Sequence, residues 1–251
     1  MVNFVGAGCG AADLITVRGM KLLEQADVII YAGSLVNPEL LDYAKKDCEI
    51  YNSAYMTLDE VIDIIEKSEK NGKNTVRLHT GDPSLYGAVR EQFDRLRELS
   101  VPYEICPGVS SFCGAAAALK AEYTLPDISQ TVIITRRSGR TSVPEKENIQ
   151  SLSSHGATMV IFLSTGMLKE LSEELVGGGY GFETPAAIVY KASWEDEKIC
   201  RCTVGNLAET AAENNIVKTA LICVGNFLGD DYSLSKLYDK SFETEFRKAG
   251  L

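Results

Sequence analysis

The chain has 251 residues, of which 45% are hydrophobic, and it carries a formal net charge of -10 at neutral pH. This length and apolar content suffice for one large or two medium domains with hydrophobic cores. The acidic balance argues against nonspecific binding of nucleic acids or anionic membranes. No apolar run reaches the roughly 20 residues of a membrane-spanning helix, and no signal peptide opens the sequence, so we expect a cytoplasmic protein.

The sequence contains seven cysteines and two histidines. Only Cys200 and Cys202 are close in sequence, and alternation along a strand places both on one face. Neither a disulfide framework nor a metal site is therefore predicted. The remaining cysteines in apolar segments are expected to be small buried residues of a reducing compartment. These are Cys48, Cys106, Cys113 and Cys223.

The N-terminal segment 2–5 is predicted to form a short strand that ends in a glycine-rich turn, GAGCGAADLIT. Gly6, Gly8 and Ala11 fit a relaxed dinucleotide-binding fingerprint, but that motif requires a helix directly after the glycines. Here the helical pattern begins only near Val17, and no acidic residue closes the following strand, VIIY. A nicotinamide-dependent oxidoreductase therefore stays a minor alternative.

Strands and helices alternate regularly through the rest of the first half. Asn37 precedes Pro38 as a natural helix cap, and Thr57 with Glu60 predicts a capping box at the start of the next helix. A strand at 103–106 leads into PGVSS and a helix rich in small residues, FCGAAAALK. This alternation predicts a largely parallel sheet with helices on its faces.

The segment LHTGDPSLYG at 78–87 lies between a buried strand and a helix whose apolar residues recur at helical spacing. A turn at the carboxyl end of a strand lies at the sheet edge where α/β proteins bind small ligands. Gly81 allows a ligand to approach the backbone closely, and Asp82 supplies a carboxylate. An ordinary turn is the alternative, because Gly, Asp and Pro are the commonest turn residues.

A linker-like stretch, EYTLPDIS, predicts two domains at 1–120 and 121–251. In the second half, two consecutive strands without an intervening helix, PAAIVYKAS and KICRCTV, suggest an antiparallel component. The other predicted elements are strands at 131–136, 157–164 and 219–225, helices at 168–176 and 207–215, and a flexible GGGYG at 177–181.

Several of these segments follow one another in an order typical of a known family. They are VGAGCG with DLIT, TGDPSLYG, PGVSS, LSTGM at 163–167 and TALICVG at 219–225. In these motifs, over nearly its whole length, the chain resembles the tetrapyrrole (corrin/porphyrin) methylases. The resemblance implies two α/β domains with a cofactor cleft between them, unlike a Rossmann methyltransferase. It also implies C-methylation that converts S-adenosylmethionine to S-adenosylhomocysteine, and a homodimer.

Within the family, YAGSLV at 31–36 and TRRSGRTSVPE at 135–145 resemble the enzymes that methylate C11 of precorrin-4 in cobalamin biosynthesis. We expect the cobalt-containing substrate of the oxygen-independent branch. The segments do not resemble the diphthine or ribosomal RNA methylases that share the fold. A corrin-ring or uroporphyrinogen methylase acting at another carbon is the nearest alternative, and a noncatalytic sensor on the same fold is a third.

The resemblance also implies which residues line the cofactor pocket. These are Cys9, Asp82, Leu85, Ser110, Ser111, Leu163, Met167 and Ala220, with Gly81, Tyr86 and Tyr190 as further candidates. Cys9 departs from the family pattern, since many relatives have proline after the glycine turn. Helix capping is the alternative role for the two serines, and core packing is the alternative for Leu163 and Met167.

The substrate expected from the family bears several acetate and propionate groups, so an acidic protein needs local positive charge to bind it. The densest basic cluster is Arg136, Arg137 and Arg140, which we hypothesise grips substrate carboxylates. A solvated basic loop is the alternative. The resemblance adds Tyr31 and Ser34 as substrate-binding residues.

Methyl transfer from a sulfonium to a ring carbon is an in-line displacement that needs alignment and, where required, removal of a proton. No metal is predicted. Arg90 is a candidate catalytic residue because it follows the Gly-Asp-Pro turn, although a guanidinium is a poor base at its ordinary pKa. His79, beside the same turn, is expected to be a core histidine with a satisfied ring.

Overall fold

The computed structural model describes residues 1–248 and residue 250, apart from the side chain of residue 34, and it divides into two units. The first unit comprises Met1–Gly114 and Lys191–Glu197, and the second comprises Ala115–Tyr190 and Lys198–Leu251. The boundary predicted at residue 120 lies a few residues beyond this division. Nothing in the sequence indicated that Lys191–Glu197 belongs with the first unit.

The first unit contains a five-stranded parallel sheet in the order β3-β2-β4-β1-β5. Its strands are β1 (Val2–Gly6), β2 (Val28–Tyr31), β3 (Glu49–Asn52), β4 (Thr75–His79) and β5 (Tyr103–Cys106). The helices are α1 (Val17–Gln25), α2 (Leu58–Lys70), α3 (Arg90–Glu98) and α4 (Ser111–Leu119), of which α4 begins in this unit. The parallel sheet predicted from the alternation of elements is confirmed.

Both faces of this sheet are covered by apolar clusters. Val76 and Leu78 of β4 pack on one face with Leu23 of α1, whereas Phe4 of β1 and Leu96 of α3 pack on the other. Burial on both faces explains the continuous apolar run of β2, VIIY, and the burial of all five residues of β4. The parallel pairing of β1 with β4 and β5 directs the carboxyl ends of these three strands to the same edge.

Local capping signals in the first unit are confirmed. The N–H of Glu60 donates to Thr57 Oγ1 at 3.3 Å and the Glu60 carboxylate accepts from Thr57 N at 2.7 Å, which completes the capping box of α2. Asn37 Oδ1 accepts from the N–H of Glu39 at 3.0 Å, although the element that it caps, Pro38–Tyr43, is a 3-10 helix.

The second unit contains a mixed five-stranded sheet in the order β6-β7-β10-β8-β9. Its strands are β6 (Val132–Arg136), β7 (Thr158–Phe162), β8 (Pro185–Tyr190), β9 (Lys198–Thr203) and β10 (Ala220–Val224), and its helices are α5 (Ile149–Ser153), α6 (Leu168–Gly178) and α7 (Leu207–Glu213). Strands β6 and β7 are parallel, while β10 is antiparallel to β7 and β8. The antiparallel β8–β9 pair confirms the prediction from consecutive strands.

The ends of β8 and α6 differ from those predicted. The strand expected at 185–193 ends at Tyr190, because Lys191 and Ser193 adopt left-handed φ values of 47° and 66° and the chain leaves the sheet. Helix α6 continues to Gly178 rather than ending before the glycines, and Gly179, with φ 126°, terminates it.

All seven cysteines are free thiols. Cys200 and Cys202 both contact the core of the second unit, as strand alternation predicted. Cys106 and Cys223 are buried, but Cys113 is exposed and Cys48 only half-buried, so the prediction of burial was wrong for Cys113.

Among the described residues, no helix is long and apolar enough to cross a membrane.

His79 ends β4 as a buried but incompletely satisfied histidine. It is 3% exposed and its ring stacks on that of Phe4 at a centroid distance of 5.9 Å. Among the described side chains, its Nε2 is one of the buried polar atoms without a hydrogen-bond partner, so the expectation of a satisfied ring was wrong. Burial, together with the positive charge of Arg77, lowers the pKa of His79 to about 3.

We predict that His79 makes the protein sensitive to acid. The unfolded imidazole titrates near 6.5, so between pH 6.5 and about 3 the unfolded state binds more protons and stability falls as the pH falls. The expected slope approaches about 1.4 kcal/mol per pH unit. His79→Phe removes this term, and its free energy of unfolding should improve relative to the parent by about 2 kcal/mol between pH 7 and pH 5.

Urea unfolding at a series of pH values measures this difference. His155→Gln, at an exposed histidine, is the matched control and should retain the parent's pH dependence. Equal pH slopes in His79→Phe and the parent would show that the folded ring takes up a proton.

Candidate functional site

The turns that follow β1 and β4 are joined by backbone hydrogen bonds. The N–H of Ala7 donates to the carbonyl of His79 at 2.7 Å. Gly8 and Gly81 exchange two bonds, at 3.2 Å from Gly8 N and 2.9 Å from Gly81 N. Both glycines have positive φ, 85° and 58°, a region that side chains disfavour. The glycine-rich turn and the Gly-Asp-Pro turn therefore form one edge of the first unit.

The turn after β5 packs against these two, backbone to backbone. A Cβ atom on Gly6 would lie 2.5 Å from Gly108 N and 2.6 Å from the carbonyl oxygen of Gly81. A Cβ atom on Gly108 would collide with the same carbonyl oxygen and lie 2.7 Å from Gly6 Cα. Glycine is therefore required at both positions. Neither Gly6 nor Gly108 was among the predicted site residues, because sequence spacing does not show a contact between strands.

Asp82 connects the Gly-Asp-Pro turn to the turn after β5. Its Oδ2 accepts from the N–H of Gly108 at 2.9 Å, and its Oδ1 accepts from the N–H of Ser84 at 2.8 Å and from the Ser84 hydroxyl. Partial burial raises the pKa of the carboxyl, but the bonds from Ser84 and Gly108 outweigh it and the pKa lies below its ordinary value. Asp82 is therefore a carboxylate at neutral pH that holds two turns together.

The predicted serines lie beside this arrangement at the start of α4. Ser110 is buried, and its carbonyl accepts from the N–H groups of Cys113 and Gly114 at 3.0 and 3.2 Å. A Cβ atom on Gly81 would lie 3.6 Å from Ser110 Cα and from Ser111 N. The amino end of α4, with its partial positive charge, thus adjoins the Gly81 turn.

Leu85 and Tyr86 continue the Gly-Asp-Pro turn. Leu85 is half-buried and its N–H donates to the carbonyl of Asp82 at 3.2 Å, whereas Tyr86 is exposed and has a left-handed φ of 55°. Ala88 is also left-handed, with φ 49°, so the helix predicted to begin there starts only at Arg90.

Arg90 is the first residue of α3. Its Nε donates to both carboxylate oxygens of Asp94, at 3.1 and 3.0 Å, and its side chain is 79% exposed. Tyr31 ends β2, and its ring packs on the apolar cluster that contains Val76 and Leu78. The side chain of Ser34 lies outside the described part of the chain.

Cys9 lies within the first glycine turn and is 9% exposed. A Cβ atom on Gly114 would lie 2.8 Å from its sulfur, so the cysteine side chain packs directly on α4. The sulfur is also 3.4 Å from the hydroxyl oxygen of Ser193. The cysteine side chain at this position is thus accommodated between α4 and Ser193.

In the second unit, the remaining cofactor candidates lie at one edge of the sheet. Leu163 follows β7 and has a left-handed φ of 52°. Because 65% of the residue is exposed, it does not pack in the core. The carbonyl of Ala220 accepts from Thr165 Oγ1 at 3.2 Å, and Ala220 pairs with Tyr190 across β10 and β8. Thr165 was not predicted, and its hydrogen bond is a long-range contact without a sequence signal.

The three arginines of the basic loop share a segment but have different partners. Arg136 donates to the carbonyls of Thr141 and Ser142, at 3.1 and 2.7 Å, and so closes the loop on itself. Arg137 pairs with Glu174 of α6 through Nη2 at 2.7 Å. Arg140 is exposed at the tip of the loop. This arrangement favours Arg140 as the contact for an anionic ligand.

Arg137 also connects the basic loop to the LSTGM turn. Its N–H donates to the hydroxyl of Ser164 at 3.0 Å, and its Nη1 lies 3.3 Å from the sulfur of Met167. A Cβ atom on Gly139 would be 3.2 Å from the Met167 methyl group. The conformation of the basic loop and the position of Met167 are therefore coupled.

The first unit bears glycine turns at the carboxyl edge of its parallel sheet, and the second unit bears an arginine-rich loop after the first strand of its mixed sheet. These features define a class of α/β protein that comparison with known families identifies. The family model for tetrapyrrole (corrin/porphyrin) methylases matches residues 1–208, and the chain belongs to this family.

Individual relatives match along almost the entire chain. A cobalt-precorrin-4 C(11)-methyltransferase of Methanocaldococcus jannaschii is 56% identical over 249 residues, which are 99% of this chain and 96% of the relative. A precorrin-4 C(11)-methyltransferase of Sinorhizobium sp is 45% identical over 251 residues, 99% of each chain. The X-ray structure of a cobalt-precorrin-4 methyltransferase, described as a cobalamin biosynthetic enzyme, has a TM-score of 0.90 at 45% identity and covers 91% of this chain and 96% of its own.

These matches confirm the fold and family inferred from the sequence motifs. They do not support a nicotinamide-dependent oxidoreductase. The strand order also differs from that of a Rossmann sheet. Here β4 lies between β1 and β2, whereas a Rossmann sheet places its first two strands side by side.

We predict that Asp82 holds the turn after β5 and that Ser84 does not. Asp82→Ala removes the acceptor of the Gly108 N–H, and the free energy of unfolding should fall by about 1–3 kcal/mol. Amide hydrogen exchange across residues 108–110 should accelerate in the same variant. Ser84→Ala leaves that acceptor in place and is the matched control. Similar exchange rates in the two variants would contradict a bracing role for the carboxylate.

Proposed function

We propose that this chain is a methyltransferase that transfers the methyl group of S-adenosylmethionine to C11 of precorrin-4 in cobalamin biosynthesis, with the cobalt-containing macrocycle as its substrate. The observation that carries the proposal is 56% identity over 99% of the chain to a relative named for that reaction. A relative named without cobalt is 45% identical and acts on the same carbon. The carbon is thus supported by both relatives, and the cobalt by the more similar one.

The strand-end turns of the first unit suit such a donor. S-adenosylmethionine supplies an electrophilic methyl group on a sulfonium, and the protein must hold it in line with the accepting carbon. Gly8 and Gly81 present backbone without side chains, which admits close approach, and Leu85 offers an apolar wall. Ser110 and Ser111 add hydroxyls at the amino end of α4. These features fit a ligand with both apolar and polar parts.

The role proposed for Asp82 differs from the cofactor contact that the resemblance implied. Because its oxygens already accept from Ser84 and Gly108, we assign it first to positioning the turns and second to cofactor contact. Cys9, Gly81 and Tyr86 are proposed cofactor contacts of the same unit. In the second unit, Leu163, Met167, Tyr190 and Ala220 remain predicted contacts on the strength of the resemblance. A cytoplasmic location and a homodimer are proposed on the same ground.

Arg140 is the proposed contact for the substrate's carboxylates. Arg136 and Arg137 are engaged with the carbonyls of their own loop and with Glu174, so their charges serve the shape of the loop. Arg90 is paired with Asp94, and we propose for it at most a contact with substrate rather than a role as base. A guanidinium stays protonated at the pH of the reaction.

Charge reversal at Arg140 tests the substrate contact. Losing one charge-assisted hydrogen bond should raise the KM for the macrocycle in Arg140→Glu by about 10-fold or more, with the KM for S-adenosylmethionine unchanged. Arg137→Gln should instead lower the melting temperature, because it breaks the pair with Glu174. Steady-state kinetics in both substrates measure the split. An unchanged macrocycle KM in Arg140→Glu would remove this residue from the substrate site.

The reaction itself is tested by anaerobic incubation with methyl-labelled S-adenosylmethionine and precorrin-4, supplied with and without cobalt. Mass spectrometry and carbon NMR of the macrocycle should show label at C11, and faster labelling of the cobalt form. Label at another carbon would contradict the proposed position. No label, with S-adenosylhomocysteine still bound, would mean that the acceptor is a different molecule.

A further inference from the structure

The segment Lys191–Glu197 belongs to the first unit and contacts its glycine-rich turn. The hydroxyl of Ser193 accepts a hydrogen bond from the N–H of Ala11 at 3.0 Å and lies 3.4 Å from the sulfur of Cys9. The Ser193 side chain therefore contacts both the backbone of Ala11 and the side chain of Cys9 in the glycine-rich turn.

Trp194 contacts Gly10, the residue between those two. A Cβ atom on Gly10 would lie 2.6 Å from the indole Nε1 and 2.6 Å from the carbonyl oxygen of Ala192, and it would collide with the indole Cδ1. Glycine at this position is thus needed to admit the ring. The Ala192 methyl group would also lie 3.4 Å from a Cβ atom on Gly114, so the segment contacts α4 as well as the turn.

The segment is braced internally. The N–H of Ser193 donates to the Glu197 carboxylate at 2.6 Å, and Lys191 pairs with Asp196 at 2.6 Å. The Lys191 ammonium also lies 5.5 Å from the centroid of the Trp194 ring, within the range of a cation–π contact. Ser193 keeps a left-handed φ of 66°, a conformation that persists in a non-glycine residue only where the surroundings impose it.

The glycine-rich turn is consequently fixed on two sides. On one side Gly8 bonds to Gly81, and on the other Ala11 bonds to Ser193. Between them Asn37 Nδ2 donates to the carbonyl of Gly10 at 3.1 Å. A turn held at its start, middle and end loses little further freedom when a ligand binds, and this raises affinity without adding a ligand contact.

We propose that Ser193 and Trp194 are positioning residues for the cofactor, which hold the turn from Cys9 to Ala11 in its binding conformation. This inference rests on the proposed function. Ser193 acts through Cys9 and the backbone of Ala11, and Trp194 acts through Gly10. Neither side chain needs to contact the reacting methyl group. Their contribution lies in the affinity for the cofactor and not in the rate of transfer from the saturated enzyme.

Trp194 also provides the signal for the test, because it is the only tryptophan in the sequence. S-adenosylhomocysteine bound at the turn should change its fluorescence, and a titration then yields the dissociation constant. Loss of one neutral hydrogen bond should weaken that binding about 3- to 10-fold in Ser193→Ala. The kcat at saturating S-adenosylmethionine and the KM for the macrocycle should stay within about twofold of the parent, as expected for uniform binding.

Ser193→Gly separates the hydroxyl from the backbone. Glycine also lacks the hydroxyl but adopts the left-handed φ without strain, so both variants should lose affinity alike if the hydroxyl matters. Weaker binding in Ser193→Ala alone would assign the effect to backbone conformation and overturn the proposal for Ser193. Glu195→Ala, at an exposed residue of the same segment, is the matched control and should bind like the parent.

Calorimetry extends the test to the indole, whose replacement removes the fluorescence signal. Trp194→Phe keeps a ring over Gly10 and should retain most of the affinity, whereas Trp194→Ala should weaken S-adenosylhomocysteine binding. Parent-like binding in Trp194→Ala, in a variant that unfolds cooperatively, would overturn the role of the ring. If the parent itself fails to bind S-adenosylhomocysteine, the proposed function fails. If the parent binds and methylates but no variant differs from it, only this inference fails.

Discussion

The close approach of the glycine backbones after β1, β4 and β5 is the constraint on which the candidate site depends. Gly6 and Gly108 approach each other and the carbonyl oxygen of Gly81 so closely that neither could carry a Cβ atom. Parallel pairing of β1 with β4 and β5 brings their carboxyl ends together, but side chains of ordinary size would hold the following turns apart. Glycine removes that obstacle, and Asp82 then adds a charge-assisted bond across the gap.

Charge in this acidic chain is mostly organised by local pairing. Arg90 pairs with Asp94, Arg137 with Glu174 and Lys191 with Asp196, so basic side chains near the predicted sites are tied to acidic neighbours. The exposed pair of Arg90 with Asp94 contributes little to stability, whereas Arg137 and Glu174 are half-buried. All three ion pairs fix the geometry of the side chains that form them. Fewer basic residues are therefore available to bind an anionic ligand than the sequence suggested.

The sequence predicted well what short-range chemistry determines. The caps at Asn37 and Thr57 and the late start of α1 at Val17 follow from patterns a few residues long, and the parallel first sheet follows from the alternation of strands and helices. The motifs likewise sufficed to recognise the family. What they could not show were contacts between residues distant in the chain. The bond from Asp82 to Gly108 and that from Ala11 to Ser193 are of this kind, and their partners carry no spacing signal.

The same limit explains the error over Lys191–Glu197. No glycine or proline directly follows Tyr190, and the predicted strand therefore continued to Ser193. Lys191 and Ser193 instead adopt left-handed conformations, and the neighbouring Trp194 packs on Gly10. Tyr86 and Leu163, also left-handed, occupy turns that the motifs identified. In-line methyl transfer relies on alignment more than on acid–base groups. Turns that are held in strained, fixed conformations therefore suit this reaction, because they can align its reactants.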